Sequence, residues 1–128
     1  MYDTVLFPTD GNEHADRALD HAIDLVDRHG ATLDVLHVAG EQSAGLDGEA
    51  IVAAAGADAQ GAGLAVNTAV LEGNPHDVIV EYVRDRGVDA VVMGTHGRRG
   101  LDRFILGSVT EQLLRSVDVP VLAVPTHD

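Results

Sequence analysis

The chain has no cysteine, no tryptophan and no lysine, and two tyrosines and two phenylalanines are its only large aromatic side chains. Without cysteine, disulfide bonds and thiolate metal sites are excluded. Without lysine, the phosphate-loop pattern G-x-x-x-x-G-K-[ST] cannot occur, and the dinucleotide-binding pattern G-x-G-x-x-G is absent as well. No apolar run approaches the length of a membrane span and no signal peptide is recognisable, so we expect a cytoplasmic protein.

The charge balance is strongly acidic. Fifteen aspartates and six glutamates outnumber eight arginines, and the formal net charge is −13. Such a surface repels nucleic acid and anionic membranes, so we expect neither as a partner. The excess of aspartate and the missing lysine indicate a protein from a salt-loving organism, in which near-molar salt reduces the screening length to about 3 Å. An ordinary acidic protein is the alternative.

The hydrophobic pattern predicts one α/β domain over residues 1–128, which is long enough to bury a core. Short apolar runs predict five strands, at 4–7, 33–38, 64–71, 90–93 and 119–124. Helical periodicity predicts helices between them, although glycines weaken the second, at 49–59. Regular alternation of strands and helices implies an open, doubly wound parallel sheet with right-handed crossovers.

The most distinctive segment is the glycine-rich loop after the fourth strand. It reads Gly94-x-x-Gly97, then nine residues, then Gly107-Ser108. Free amide groups that lead into a helix N-terminus suit a phosphate. Ser108 and Glu111 also form a capping-box pattern, which predicts that a helix starts here. The plainer interpretation is that the glycines mark turns and that the serine only caps the helix.

This spacing resembles the nucleotide-binding signature of the universal stress protein family, in its ATP-binding branch. The resemblance extends to Phe-Pro-Thr-Asp-Gly at 7–11, Gly-Asn-Pro at 73–75 and Val-Pro-Val-Leu at 119–122. It implies an adenine-nucleotide alpha-hydrolase-like, Rossmann-like three-layer sandwich with strand order 3-2-1-4-5. In that order strands one and four are neighbours where the order reverses, so the turns that follow them would form one crevice.

The resemblance also implies which residues bind the adenosine part of a nucleotide. Pro8, Thr9 and Asp10 would line the adenine and ribose, with Asp10 bonding the ribose hydroxyls or reaching a metal. Val38 would contact adenine through its backbone, while its side chain fits a plain core position equally well. Residues packed near the ribose would be Met93 and Gly94. Asp10 could instead be only a turn residue.

The phosphates would be held by the glycine loop and the helix that follows it. Backbone amides and hydroxyls would come from Gly97, Arg98, Gly107, Ser108, Val109 and Thr110. His96 could touch a phosphate or act as a base, but a loop histidine can also simply face solvent. The arginines of this loop form the chain's only cationic cluster, which suits an anion. We expect Mg²⁺ to arrive with the phosphates, and its protein ligands are unknown.

The function expected from the resemblance is an ATP-binding stress-response or signalling module, which could also hold AMP or ADP. We expect at most slow ATP hydrolysis, because no arginine finger or water-orienting residue is recognisable. The alternative is an interaction module of the same fold whose loop stays empty and which acts through dimerisation.

Two further features bear on assembly and on the pocket. The fifth strand is apolar on both faces and would lie at the sheet edge, which predicts a homodimer through that strand. A loop or the C-terminal residues could instead cover the edge. The segment 39–63 is shorter than in family members by roughly three helical turns, which would alter how a loop covers the ligand.

Overall fold

The structure is a computed structural model that describes residues 2–11, 15–40, 45–94 and 108–125. Within these ranges five strands alternate with four helices, and their bounds are β1 (Thr4–Pro8), α1 (Ala15–His29), β2 (Thr32–Ala39), α2 (Gly48–Gly61), β3 (Ala65–Glu72), α3 (Pro75–Arg86), β4 (Ala90–Gly94), α4 (Ser108–Ser116) and β5 (Val121–Val124). All pairings are parallel and the order is β3-β2-β1-β4-β5. The predicted fold class and strand order are confirmed.

The sheet is covered on both faces, which explains why its central strands are apolar without interruption. Val5 and Phe7 of β1 point into a core shared with α1 and α2. Leu6, which lies between them, points to the opposite face and packs with α3 and α4. The alternation follows the two-residue period of a strand. Of the helices that the structure describes, none could span a lipid bilayer.

The central strand β1 is tied to β4 at its amino end. The Asp89 carboxylate accepts hydrogen bonds from the backbone N–H groups of Asp3 and Thr4, at 2.8 and 3.0 Å. The Asp89 N–H in turn donates to the Thr4 carbonyl, at 2.8 Å. The bonds from Thr4 and Asp3 hold the pKa of the Asp89 carboxyl below its usual value, because they favour the charged form. This arrangement fixes where β1 begins.

The glycine-interrupted segment after β2 does form a helix. Asp47 caps α2 by accepting a hydrogen bond from the Ala50 N–H, at 3.1 Å. Gly56 lies against β3, where a Cβ atom would approach the Thr68 Cγ2 to 3.3 Å. Glycine therefore lowers the helix propensity here but allows the helix to approach the sheet closely.

Helix α3 begins and ends at residues that favour helix termini. Asn74 accepts a hydrogen bond from the Asp77 N–H, at 3.2 Å, and Pro75 occupies the first helical position. Gly87 ends the helix in the left-handed conformation, with φ of 64°. These choices need no tertiary contacts, because a proline at the start and a glycine after the end are favoured by the helix itself.

Two expectations at the carboxyl end of the chain need correction. The fifth strand begins at Val121 rather than Val119; Pro120, which has no N–H to donate, contributes only its carbonyl, to the Val91 N–H at 2.9 Å. Helix α4 does include Ser108 as predicted. The spacing of Val109, Leu113, Leu114 and Val117 predicts one apolar face, but the face that packs on the sheet is narrower. Leu113 is fully buried, whereas Leu114 is 47% exposed. One position along a helix rotates a side chain by about 100°, away from the sheet.

Candidate functional site

The carboxyl ends of β1 and β4 lie side by side where the strand order reverses. Val5 is in register with Ala90, and Leu6 with Val91. Pro8 ends β1, and Thr9 and Asp10 follow it as half-buried residues. Gly94 ends β4, so the start of the glycine loop leaves the sheet next to this turn. The ends of two strands separated by more than eighty residues in sequence therefore share one edge, the place where doubly wound folds bind ligands.

The turn after β1 is held by the neighbouring strand β2. The Thr9 N–H donates to the Leu36 carbonyl at 2.9 Å. The Thr9 carbonyl accepts a hydrogen bond from the His37 Nδ1, also at 2.9 Å. The Thr9 hydroxyl accepts from the Gly11 N–H at 3.1 Å, which closes the turn. Thr9 is thus held against β2 by one backbone and one side-chain hydrogen bond, although β1 has already ended.

Val38 and Met93 differ from the turn residues, because their side chains belong to the core. Val38 lies near the end of β2, half-buried, and its side chain packs against the core formed with α3 and α4. Met93 is 7% exposed within the same core. The core interpretation of the Val38 side chain therefore holds. The predicted contact of its backbone with adenine, and that of Met93 near ribose, stay predictions.

Most of the predicted phosphate ligands lie outside the described residues. This applies to His96, Gly97, Arg98 and Gly107, together with the rest of the arginine cluster. Ser108, Val109 and Thr110 form the first turn of α4, which is described as backbone only. The N–H groups in the first turn of a helix have no partner within the helix, and they carry the positive end of its dipole. The backbone of this turn is therefore suited to a phosphate.

A cleft of about 300 Å³ opens beside the turn after β1, between α1 and α2. Its floor is apolar and includes Phe7, Leu19 and Ile51, and its rim carries Asp16 and Asp58. Thr9 and Gly11 also line it, so it adjoins the candidate site. In the described part of the chain, no group of three or more histidine or acidic side chains is placed to hold a metal ion.

Two buried polar residues of β2 were not singled out by sequence reasoning. His37 is 1% exposed and Asp34 is 2% exposed. Asp34 accepts hydrogen bonds from the Tyr82 hydroxyl at 2.8 Å and from the Asn67 side-chain amide at 3.1 Å. Burial, followed by the bond to Asp34 and its charge, raises the pKa of Tyr82 to about 12, against an opposing effect of Arg86. A charged residue and a histidine inside an apolar strand were the signal that could have revealed both.

Comparison with known proteins agrees with this architecture. The model of the universal stress protein family matches residues 1–125. The chain belongs to the universal stress protein family. Universal stress protein MJ0531 of Methanocaldococcus jannaschii is similar to it along 97% of this chain and 82% of the relative, with 31% identity over 140 residues. That aligned length exceeds the 128 residues here, so the relative contains residues with no counterpart in this chain.

Solved structures of the family have the same fold. A universal stress protein in complex with cAMP matches with a TM-score of 0.82 and 29% identity, over 98% of both chains. A universal stress protein from Archaeoglobus fulgidus in complex with dAMP matches with a TM-score of 0.77, over 95% of this chain and 97% of its own. Its identity is 20%, so that likeness concerns the fold alone. The predicted membership of the family is confirmed.

Proposed function

We propose that this universal stress protein binds adenine nucleotides, with ATP as its main ligand, as a nucleotide-dependent module of stress response or signalling. The observation that carries the proposal is that the turn after β1 and the end of β4, where the sequence Gly94-x-x-Gly97 begins, lie side by side at the reversal point of the sheet. The relative that was solved with cAMP, at 29% identity, supports the same class of ligand.

The adenosine part of the nucleotide would bind over β1 and β2. Asp10 is half-buried at the end of β1, where a carboxylate can accept hydrogen bonds from ribose hydroxyls. Val38 lies at the corresponding end of β2, one strand away, and offers backbone groups to the adenine ring. Gly94, with Met93 beneath it, would form the side of the pocket nearest the ribose.

The phosphates would bind over β4 and α4. Residues Gly97, Arg98, Gly107 and those of the first turn of α4 would donate amide and hydroxyl groups, and His96 would lie beside them. Mg²⁺ would accompany the phosphates, since it dehydrates reluctantly and is commonly bound through phosphate oxygens. This arrangement supports tight binding and at most slow hydrolysis of ATP.

The assembly proposed is a homodimer through β5. This strand lies at one edge of the sheet, and Leu122 in it is 46% exposed. If two copies paired antiparallel about a two-fold axis, the same surface of each copy would form the interface, and the edge N–H and C=O groups of both would be hydrogen-bonded. If the nucleotide site proves empty and inactive while the dimer persists, the protein is an interaction module of the same fold.

We also propose a cytoplasmic protein adapted to high salt. Helix α1 exposes Asp16, Asp20, Asp24 and Asp27 along its outer face, against two arginines. Asp24 makes an exposed ion pair with Arg28 at 2.9 Å, which leaves the helix with a net negative surface. A protein with such a surface is most stable at high salt, because salt screens the repulsion between the carboxylates.

The proposal is tested by identifying what the purified protein carries and what it binds. We expect mass spectrometry of the denatured protein to detect an adenine nucleotide. After that nucleotide is removed, calorimetry should show tighter binding of ATP with Mg²⁺ than of adenosine. Equal affinities for the two would reject the phosphate cradle, and no binding of either would leave the interaction module as the function.

A further inference from the structure

The ring of His37 is buried at the junction of three elements. It belongs to β2, it is 1% exposed, and its Nδ1 lies 2.9 Å from the carbonyl oxygen of Thr9, which follows β1. The third element is α2, since a Cβ atom placed on Gly48 would come within 2.9 Å of the His37 Cδ2. A glycine at the start of α2 therefore leaves room for this ring.

The hydrogen bond has a defined direction. A carbonyl oxygen only accepts, so the His37 Nδ1 must carry the hydrogen and donate it. In the neutral ring this assigns the tautomer and leaves Nε2 without a hydrogen. Partial burial of the bond strengthens the requirement, because a carbonyl that is shielded from water and loses its donor is incompletely compensated by solvent.

The consequence of the bond is that both polar backbone groups of Thr9 are held by β2. Its N–H donates to Leu36, and its carbonyl accepts from His37, the next residue of the same strand. The peptide that joins Thr9 to Asp10 is therefore positioned relative to the end of β2. Val38, the residue after His37, is the one whose backbone would contact adenine.

We propose that His37 is a positioning residue for the adenosine half of the nucleotide site. It holds the Thr9–Asp10 backbone at a set distance from Val38, so that the ribose and adenine contacts form together. The inference rests on the proposed function and adds a residue that would touch no ligand atom. An apolar residue of similar volume would fill the core equally well but could not hold the carbonyl.

The test compares two substitutions of His37. His37→Leu removes the donor and keeps an apolar side chain of similar bulk. His37→Asn keeps a nitrogen donor bonded to Cγ, as Nδ1 is, and can restore the bond to Thr9. We expect His37→Leu to lower the affinities for adenosine and for ATP by the same factor, about tenfold. His37→Asn should restore most of the lost affinity.

The ratio of the two affinities separates positioning from other effects. Because His37 acts on the adenosine half, the ratio of ATP affinity to adenosine affinity should equal that of the wild type. Tyr82→Phe serves as the control for lost stability, since it removes a buried hydrogen bond on the other face of β2. It should lower the melting temperature and leave both affinities unchanged.

Several outcomes would overturn the inference. These are wild-type affinities in His37→Leu, a His37→Asn variant as weak as His37→Leu, or a changed ratio of ATP to adenosine affinity. If His37→Leu does not fold, ¹⁵N NMR of the wild-type ring decides, because hydrogen on Nε2 rather than Nδ1 contradicts the bond. Failure of the proposed function is distinguishable, since the wild type itself would then bind neither adenosine nor ATP.

Discussion

Asp34 and His37 are both buried polar residues of β2, yet they face opposite sides of the sheet and have different consequences. Asp34 points toward α3 and accepts hydrogen bonds from Tyr82 and Asn67, well below the carboxyl edge. His37 points toward α2 and donates to Thr9, at the edge where a nucleotide would bind. Both side chains are equally buried, but Asp34 stabilises the fold, whereas His37 is the residue that we propose to shape the site.

The largest effect expected at the carboxyl edge comes from Gly107→Val. A branched Cβ would fill the space in which a phosphate approaches the backbone, so ATP affinity should fall by at least about 100-fold. Circular dichroism should show an unchanged fold, and adenosine affinity should change little. Gly61→Val is the matched control, because nothing lies within 4 Å of a Cβ atom built there. Unchanged ATP affinity in folded Gly107→Val would place the phosphates elsewhere.

Tyr82→Phe should have the converse effect, on the fold and not on the site. It deprives the buried Asp34 carboxylate of a donor, and we expect unfolding free energy to fall by about 1–3 kcal/mol in urea titrations. Nucleotide affinity should stay at the wild-type value. A loss of affinity comparable with that of His37→Leu would remove the distinction between the two faces of β2.

The contribution of Tyr82 to the stability of the wild type depends on pH in a defined way. The pKa of Tyr82 is raised in the folded protein from its ordinary value of 10.0 to about 12. Its neutral form therefore adds stability that is complete below pH 10 and is lost as pH rises toward 12. The stability of Tyr82→Phe should lack this component, so the wild type should lose more stability than the variant over that interval. Parallel curves would show that the pKa of Tyr82 is not raised.

Salt should stabilise the protein by screening the exposed carboxylates, and it should leave the contribution of Asp34 to stability unchanged. From about 0.1 M to about 2 M KCl the melting temperature should rise, by roughly 3–5 °C for each 1 kcal/mol of screened repulsion. Wild type and Tyr82→Phe should rise in parallel, because a buried pair is screened little. A melting temperature that does not change with salt would contradict the proposed adaptation. If the melting temperatures of the wild type and of Tyr82→Phe converge as salt rises, Asp34 is accessible to salt.

The smallest effect on both stability and nucleotide affinity is expected from Leu122→Asp. Its side chain is 46% exposed on the edge strand β5, which is separated from β2 by β1 and β4. Light scattering at high salt should show a dimer for the wild type and a monomer for the variant. Leu71→Asp, at 41% exposure on the opposite edge strand β3, is the matched control and should stay dimeric. The β5 interface is rejected if the wild type is monomeric or if Leu122→Asp remains a dimer.

The helices α3 and α2 and the carboxyl edge of the sheet differ in how far the sequence predicts them. The ends of α3 were predictable because Asn74, Pro75 and Gly87 act through bonds within one or two turns of the helix. That Asp10 and Gly94 lie at the same edge of the sheet followed from the strand order, which the family resemblance supplied. The extent of α2 was uncertain because glycine lowers helix propensity. Packing of the helix against β3, which Gly56 allows, outweighs that low propensity. The roles of residues 95–107 stay predictions, since they lie outside the described part of the chain.

By itself, the sequence determined the nature and order of the elements, the caps of α3 and the acidic surface, since each depends on periodicity, on neighbours along the chain or on net charge. It did not determine that Asp34 meets Tyr82, 48 residues away, or that His37 meets Thr9, 28 residues away. It also could not separate buried Leu113 from exposed Leu114. Only the tertiary structure decided these matters, because a buried polar group finds its partner through the register of neighbouring strands and the placement of the helices over them.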